Sequence, residues 1–177
     1  MKTLRLLTTT ILLASLALAG QAADHKQLQA DVDAAVAAFQ KADPGLKDTF
    51  KKAAGYVVFP NVGKGGFIVG GAHGNGHVYE KGKLIGYASL TQVTLGVQVG
   101  GQEFSEVIIF ETKEALAKFK EGGYSMNAQV SAVAAAEGAS KNARYVEGVM
   151  VFTKAKSGLM AEASVGGQKF KFEPVGK

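Results

Sequence analysis

The chain has 177 residues, a formal charge of +5, 23 glycines, no cysteine and no tryptophan. That length suits one domain with a core of its own. The missing cysteine excludes disulfides, thiol catalysis, cysteine metal sites and lipid attachment at an N-terminal cysteine. Arg144 is the only arginine beyond residue 23, a poor endowment for reading duplex DNA, so no nucleic-acid partner is expected.

The opening segment reads as an export signal. Lys2 and Arg5 precede an uncharged apolar run through Leu6, Leu7, Ile11, Leu12, Leu13, Leu16 and Leu18, and small residues follow at Gly20, Ala22 and Ala23. Basic, apolar, then small is the order of a secretory signal peptide. The run is shorter than the ~20 residues that cross a bilayer as a helix. Residues 1–23 are therefore assigned to the signal and 24–177 to a single mature domain, with helices over 24–54 and a β-rich body over 55–177. Removing the signal takes away Lys2 and Arg5 and no acid, so +5 becomes +3. The expected location is the periplasm or cell envelope, peripheral to the membrane.

After the cut, Leu28, Val32, Ala35, Val36 and Phe39 recur at spacings of three and four, one stripe of an amphipathic helix. Asp43-Pro44 ends it. A second short helix over about 44–54 carries Leu46, Phe50 and Ala53 on one side and Lys47, Lys51 and Lys52 on the others. At Gly55 the period changes to two. Tyr56–Phe59 predicts a short strand stopped by Pro60. Gly66–Ala72 predicts a second strand. Gly74-Asn75-Gly76 holds Asn-Gly, a strong hairpin signal, with His77-Val78-Tyr79 returning. Lys81-Gly82-Lys83 predicts another turn, and Leu84–Ser89 a further strand.

Val93, Leu95, Val97 and Val99 alternate with Gln92, Thr94, Gly96, Gln98 and Gly100, which predicts a strand with one greasy and one polar face. Glu106–Phe110 predicts a buried strand. Thr112 is placed to cap a helix running to Gly122, with Ala115, Leu116 and Phe119 inward. Residues 126–139 combine alanine-rich helix propensity with a strand-like start, and strand is preferred. Strands recur at 147–153, 159–165 and 168–173, with turns at Ser157-Gly158 and Gly166-Gly167. The expected class is α+β: N-terminal helices, then a curved, glycine-rich antiparallel sheet or partly closed barrel, with one mid-domain helix.

The motifs Tyr56-Val57-Val58-Phe59-Pro60-Asn61-Val62, Lys64-Gly65-Gly66-Phe67, Gly70-Gly71, Gly74 and Gly76 resemble the SYLF domain family. Gly96–Gln102 with Glu106–Phe110 is similar to its central strand pair, Thr112–Phe119 to its mid-domain helix, and Tyr145–Leu159 to its late hairpin. The ordered likeness runs from about Pro44 to Pro174. The resemblance implies lipid binding, with phosphoinositide binders among eukaryotic members and actin binders among fungal ones. It implies membrane contact through a basic amphipathic stretch, which maps onto Leu46, Lys47, Phe50, Lys51 and Lys52. An exported chain meets neither actin nor, normally, phosphoinositides. Lipid binding is therefore expected only as a class, with another anionic phospholipid as partner.

Other residue groups point to less chemistry. His73 and His77 flank the expected turn, but no third ligand lies beside them, so exposed turn histidines are expected and no metal. The glycines over 63–76 fit neither a P-loop nor a dinucleotide fingerprint, and packing is their simpler use. Glu103 and Glu106 are read as solvated strand ends. His25, His73 and His77 accompany no nucleophile elbow. No catalytic constellation and no cofactor are expected. Lysines remain: Lys154 and Lys156 on one strand, Lys169 and Lys171 on another, and Lys64 in its glycine motif. The leading expectation is a non-enzymatic binding protein docking on anionic phospholipid through Leu46, Lys47, Phe50, Lys51, Lys52, Lys64, Lys154 and Lys156. The alternative is a lipid-independent structural or interaction module that forms a homo-oligomer. An outer-membrane barrel fits poorly, since aromatic girdles are missing and helices interrupt the strands.

Overall fold

The computed structural model describes residues 24–66, 69–95, 101–157 and 165–176. The signal segment and the expected turn at Ser157-Gly158 lie wholly or partly outside them. So do residues 96–100, the second half of the alternating strand. Helix α1 covers 24–42, followed by α2 (Leu46–Lys52), β1 (Gly55–Gly66), β2 (Val69–Glu80), β3 (Lys83–Leu95), β4 (Gln102–Phe110), α3 (Lys113–Lys120), β5 (Ala132–Ala134), α4 (Ala139–Asn142), β6 (Val149–Ser157) and β7 (Lys169–Pro174). The strands form one seven-stranded sheet in the order β5-β6-β4-β1-β2-β3-β7. Neighbours are antiparallel except β5, which runs parallel to β6. The α+β class stands; the sheet is mixed and open rather than closed into a barrel.

The sheet is covered on both faces. On one, α1 and α2 press Val32, Phe39, Leu46 and Phe50 against Val58, Val107, Ile109, Met150 and Phe152. On the other, α3 and the 126–130 segment bring Leu116, Phe119, Met126 and Val130 onto Val57, Phe59, Phe104, Ile108, Phe110 and Phe170. Strand alternation requires this division, because successive side chains point to opposite faces. Two side-chain contacts fix helix ends. The Thr112 hydroxyl accepts from the Ala115 amide at 3.2 Å to start α3. The Asp43 carboxylate accepts from the Gly45 amide at 3.0 Å and from the Ser140 amide at 2.6 Å, pinning the α1–α2 corner to α4.

Several expectations change. Pro60 does not stop β1. The strand passes through it by a register shift between Val58 and Asn61, the place in a central strand where the missing N–H costs no ladder bond. Asn75-Gly76 makes no turn: β2 runs from Val69 to Glu80, pairs with β3 along its length and with β1 on either side of that register shift. Gly76 serves a close approach, since a Cβ there would sit 2.4 Å from the Val58 carbonyl oxygen and 2.8 Å from the Phe59 ring. Lys81 and Gly82 do make the expected turn, with φ of +50° and +75°, the type I′ pattern of a two-residue hairpin. Most of 126–139 is irregular, with only Ala132–Ala134 as strand. In β3 the facing reverses: Gln92 is buried and Val93 is 78% exposed, because Gln92 follows Leu90 onto the α3 face and donates to the Gly166 carbonyl at 3.0 Å.

Candidate functional site

The expected site residues fall into three places. Lys47, Lys51 and Lys52 are exposed on α2. Lys64 stands near the far end of β1, opposite Gln102 of β4. Lys154 and Lys156 lie at the far end of β6. Gly55 and Lys64 are nine residues apart on β1, about 30 Å at a strand's rise. One flat contact through all eight residues is therefore not what the fold presents. Lys156 is also engaged, its ammonium donating to the Asn61 side-chain oxygen.

Leu46 and Phe50 need correction. They were expected to dip into a bilayer, but Leu46 is 0% and Phe50 9% exposed, packed in the cluster beneath α1. The stripe that made α2 look amphipathic is the stripe that seats it on the sheet. Phe50 also meets the Tyr56 ring edge-on at 4.9 Å.

What α2 does present is a surface pocket of about 430 Å³, lined by Gln40, Lys47, Phe50, Lys51, Tyr56 and the Lys81-Gly82 turn, together with Ala53. Lys47 and Lys51 are one helical turn apart and share a face. Lys81 joins them across the pocket because the β2–β3 hairpin ends there. Among the described residues no carboxylate lines this pocket. Lys64 shares its pocket with Glu103, Lys52 and Lys141 share theirs with Asp48 and Glu111, and Lys171 shares its pocket with Asp24 and Glu173. Burial, with the nearby Tyr79 and Asp33, pushes the Tyr56 hydroxyl up from its ordinary value, so it remains an O–H donor at neutral pH. The arrangement suits a compact anion. Lys81 was missed in the sequence because its relation to α2 is purely tertiary.

The other candidates also move. His73 is exposed on β2, while His77 on the same strand is 1% exposed, so they are not a pair of turn histidines. Among the described residues no group of three or more histidines and acids is placed to hold a metal. Glu106 is not solvated. It is 0% exposed, faces Phe59 across β1 and Thr153 across β6, and accepts from the Gln168 amide at 2.9 Å. Burial raises its carboxyl to about 7 against the lowering effect of that hydrogen bond.

Residues 91–174, the stretch from the end of β3 to β7, match the family model Ysc84, described as Las17-binding protein actin regulator. Residues 91–174 belong to the SYLF family. The chain is also similar to Beta cell expansion factor A of Aeromonas veronii, 30% identical over 128 residues, which is 72% of this chain and 49% of that protein. The chain thus spans about half the length of that curated relative. The SYLF family is one of binding and regulatory domains. The lysine-lined pocket on α2 lies outside the matched residues, whereas buried Glu106 and Gln168 lie within them.

Proposed function

We propose that this SYLF protein is a non-enzymatic module, exported to the periplasm or cell envelope, that docks peripherally on anionic phospholipid. The observation that carries this reading is the pocket where Lys47, Lys51 and Lys81 gather with no carboxylate among the described residues that line it. Lysines near an anionic bilayer contribute about 1 kcal/mol each, so three give useful but salt-sensitive attachment. A lipid phosphate fits among the ammonium groups, with the Tyr56 hydroxyl as a further donor. The apolar contribution expected of Leu46 and Phe50 drops out, which makes the attachment mainly electrostatic. Among the described residues no helix is long and apolar enough to cross a membrane. Export rests on the basic, apolar and small order of residues 1–23.

The test is flotation of the processed protein with vesicles. Recovery on vesicles with anionic phospholipid at low salt should be lost at high salt, and neutral vesicles should retain little. Equal recovery on neutral vesicles would reject the lysine-driven mode.

A second reading, a lipid-independent module that associates with itself, draws on Val93, 78% exposed on β3 opposite the bare backbone of Gly71. The family's description as a partner-binding regulator is compatible with it. Light scattering together with mass spectrometry of extracted lipid separates the two, since a lipid-free assembly favours this one.

A further inference from the structure

We propose that α1 is a pH-sensitive strap, latched to the sheet while the His77 imidazole is neutral and released when that ring gains a second N–H. The latch needs no lipid and stands apart from the docking reading.

The geometry begins with a row of rings. His77 lies on β2 between Val58 of β1 and Tyr87 of β3. Its ring meets Tyr87 edge-on at 5.2 Å, and Tyr87 stacks on His25 of α1 at 4.4 Å. Its Nδ1 lies 3.4 Å from the Tyr79 hydroxyl. That hydroxyl accepts from Gln29 of α1 at 3.3 Å, and the Tyr79 ring stacks on Tyr56 at 5.0 Å. The first turns of α1 therefore rest on the two tyrosines that enclose His77.

His77 is 1% exposed, and among the described residues its Nε2 has no hydrogen-bond partner. A neutral imidazole can use the Tyr79 hydroxyl through one nitrogen, whichever tautomer is present. An imidazolium has two N–H donors and a charge, and this site offers one partner and little water. Every element around the ring contributes to the balance. From α1, His25 opposes protonation and Asp33 favours it. Burial raises the Tyr79 hydroxyl, so it carries no charge at neutral pH; Val58 of β1 has none, and Glu173 of β7 lies one strand away opposite Tyr87. Burial first and His25 second outweigh Asp33, which leaves the imidazole below its ordinary value. A base whose folded-state value is depressed adds stability above the free-imidazole range, and loses it as pH falls through that range. Acid therefore loosens the contact.

The hinge is separate. At the far end of α1, Asp43 loses to burial but gains more from Ser140, Gly45 and Gly138, so its carboxyl sits below the ordinary value. Its bonds persist at mildly acidic pH, and α2 stays seated while the N-terminal part of α1 lifts. Release would uncover Leu28, Val32 and Val36.

Amide hydrogen exchange on the whole processed protein tests this. Between pH 7.5 and 5, exchange across 28–39, corrected for intrinsic rates, should accelerate by up to tenfold per pH unit, the limit for one proton. Amides in β1 and β4 should hold their protection. His77→Gln should remove the pH response of α1. Unchanged protection of α1 down to pH 5, or an equal acid response in His77→Gln, overturns the proposal. If that variant does not fold, NMR titration of the unsubstituted protein decides: His77 must titrate below about 6.5, the ordinary imidazole value, and a value at or above it sinks the latch.

Discussion

Each face of the sheet buries a titratable side chain, His77 on one and Glu106 on the other, and these two respond to protons in opposite directions. His77 sits under α1, where its neighbours are tyrosine rings and a second histidine. Glu106 sits on the α3 face, among phenylalanines and beside the Gln168 amide. Burial opposes charge in both. For the base this favours the folded state at high pH; for the acid it favours the folded state at low pH. Acidification should thus tighten the α3 face while loosening the α1 face. The same physical cost, applied to groups of opposite polarity, divides one sheet into two layers with different pH optima.

The largest expected effect belongs to Glu106. Its carboxyl moves from an ordinary 4.5 to about 7 in the folded protein. A raised folded-state value means that the stability contribution is whole below about 4.5 and declines as pH rises through about 7. The gap corresponds to about 3 kcal/mol at 1.4 kcal/mol per pH unit. Glu106→Gln keeps an acceptor for Gln168 and removes the ionisation. In urea unfolding, this variant should exceed the parent by about 3 kcal/mol at pH 8.5 and converge with it below pH 5. Parallel pH profiles for the two proteins would show that the carboxyl is not the buried acid responsible.

Next in size is a backbone contact on the same face. Gly76→Ala places a Cβ against the Val58 carbonyl oxygen, which belongs to a paired strand and cannot step aside. Overpacking of this kind costs typically 1–3 kcal/mol, so a loss of about 2 kcal/mol in unfolding free energy is expected. A neutral outcome would mean that β1 and β2 separate more easily than their register implies.

Gly76 also shows where sequence reasoning stopped. Asn-Gly is a local signal, and its local use is a turn. Here the glycine answers a neighbouring strand and the ring of Phe59, neither of which is visible in the dipeptide. The Lys81-Gly82 turn was legible because two extended runs flank it. The helical stripes of α1 and α3 were legible because periodicity alone dictates which side is buried. The same rule misled at α2. Leu46 and Phe50 form a stripe whether it faces a core or a bilayer, and only the packing beneath α1 decides. The reversal at Gln92 and Val93 has a related cause: alternation fixes that two faces exist, while pairing with Ala72 and Gly71 fixes which one is inside. Burial of Glu106 was hidden by its place at the start of an apolar run, where an acid commonly marks a strand's solvated end.

The smallest effect on stability should be the most telling for the pocket on α2. Lys81 holds φ of +50° at the first central position of a type I′ turn, a conformation that asparagine tolerates better than lysine. Lys81→Asn gives that turn its preferred Asn-Gly pair, so unfolding free energy should rise slightly, within about 0.5 kcal/mol. The substitution also removes one of three ammonium groups from the pocket. Retention on anionic vesicles at low salt should fall about fivefold, the equivalent of about 1 kcal/mol, and its salt dependence should become shallower. A damaged fold cannot imitate this result, because stability and docking move in opposite directions. If Lys81→Asn left retention intact while Lys47→Ala reduced it, the contact would run along α2 alone and the hairpin would have no part in it.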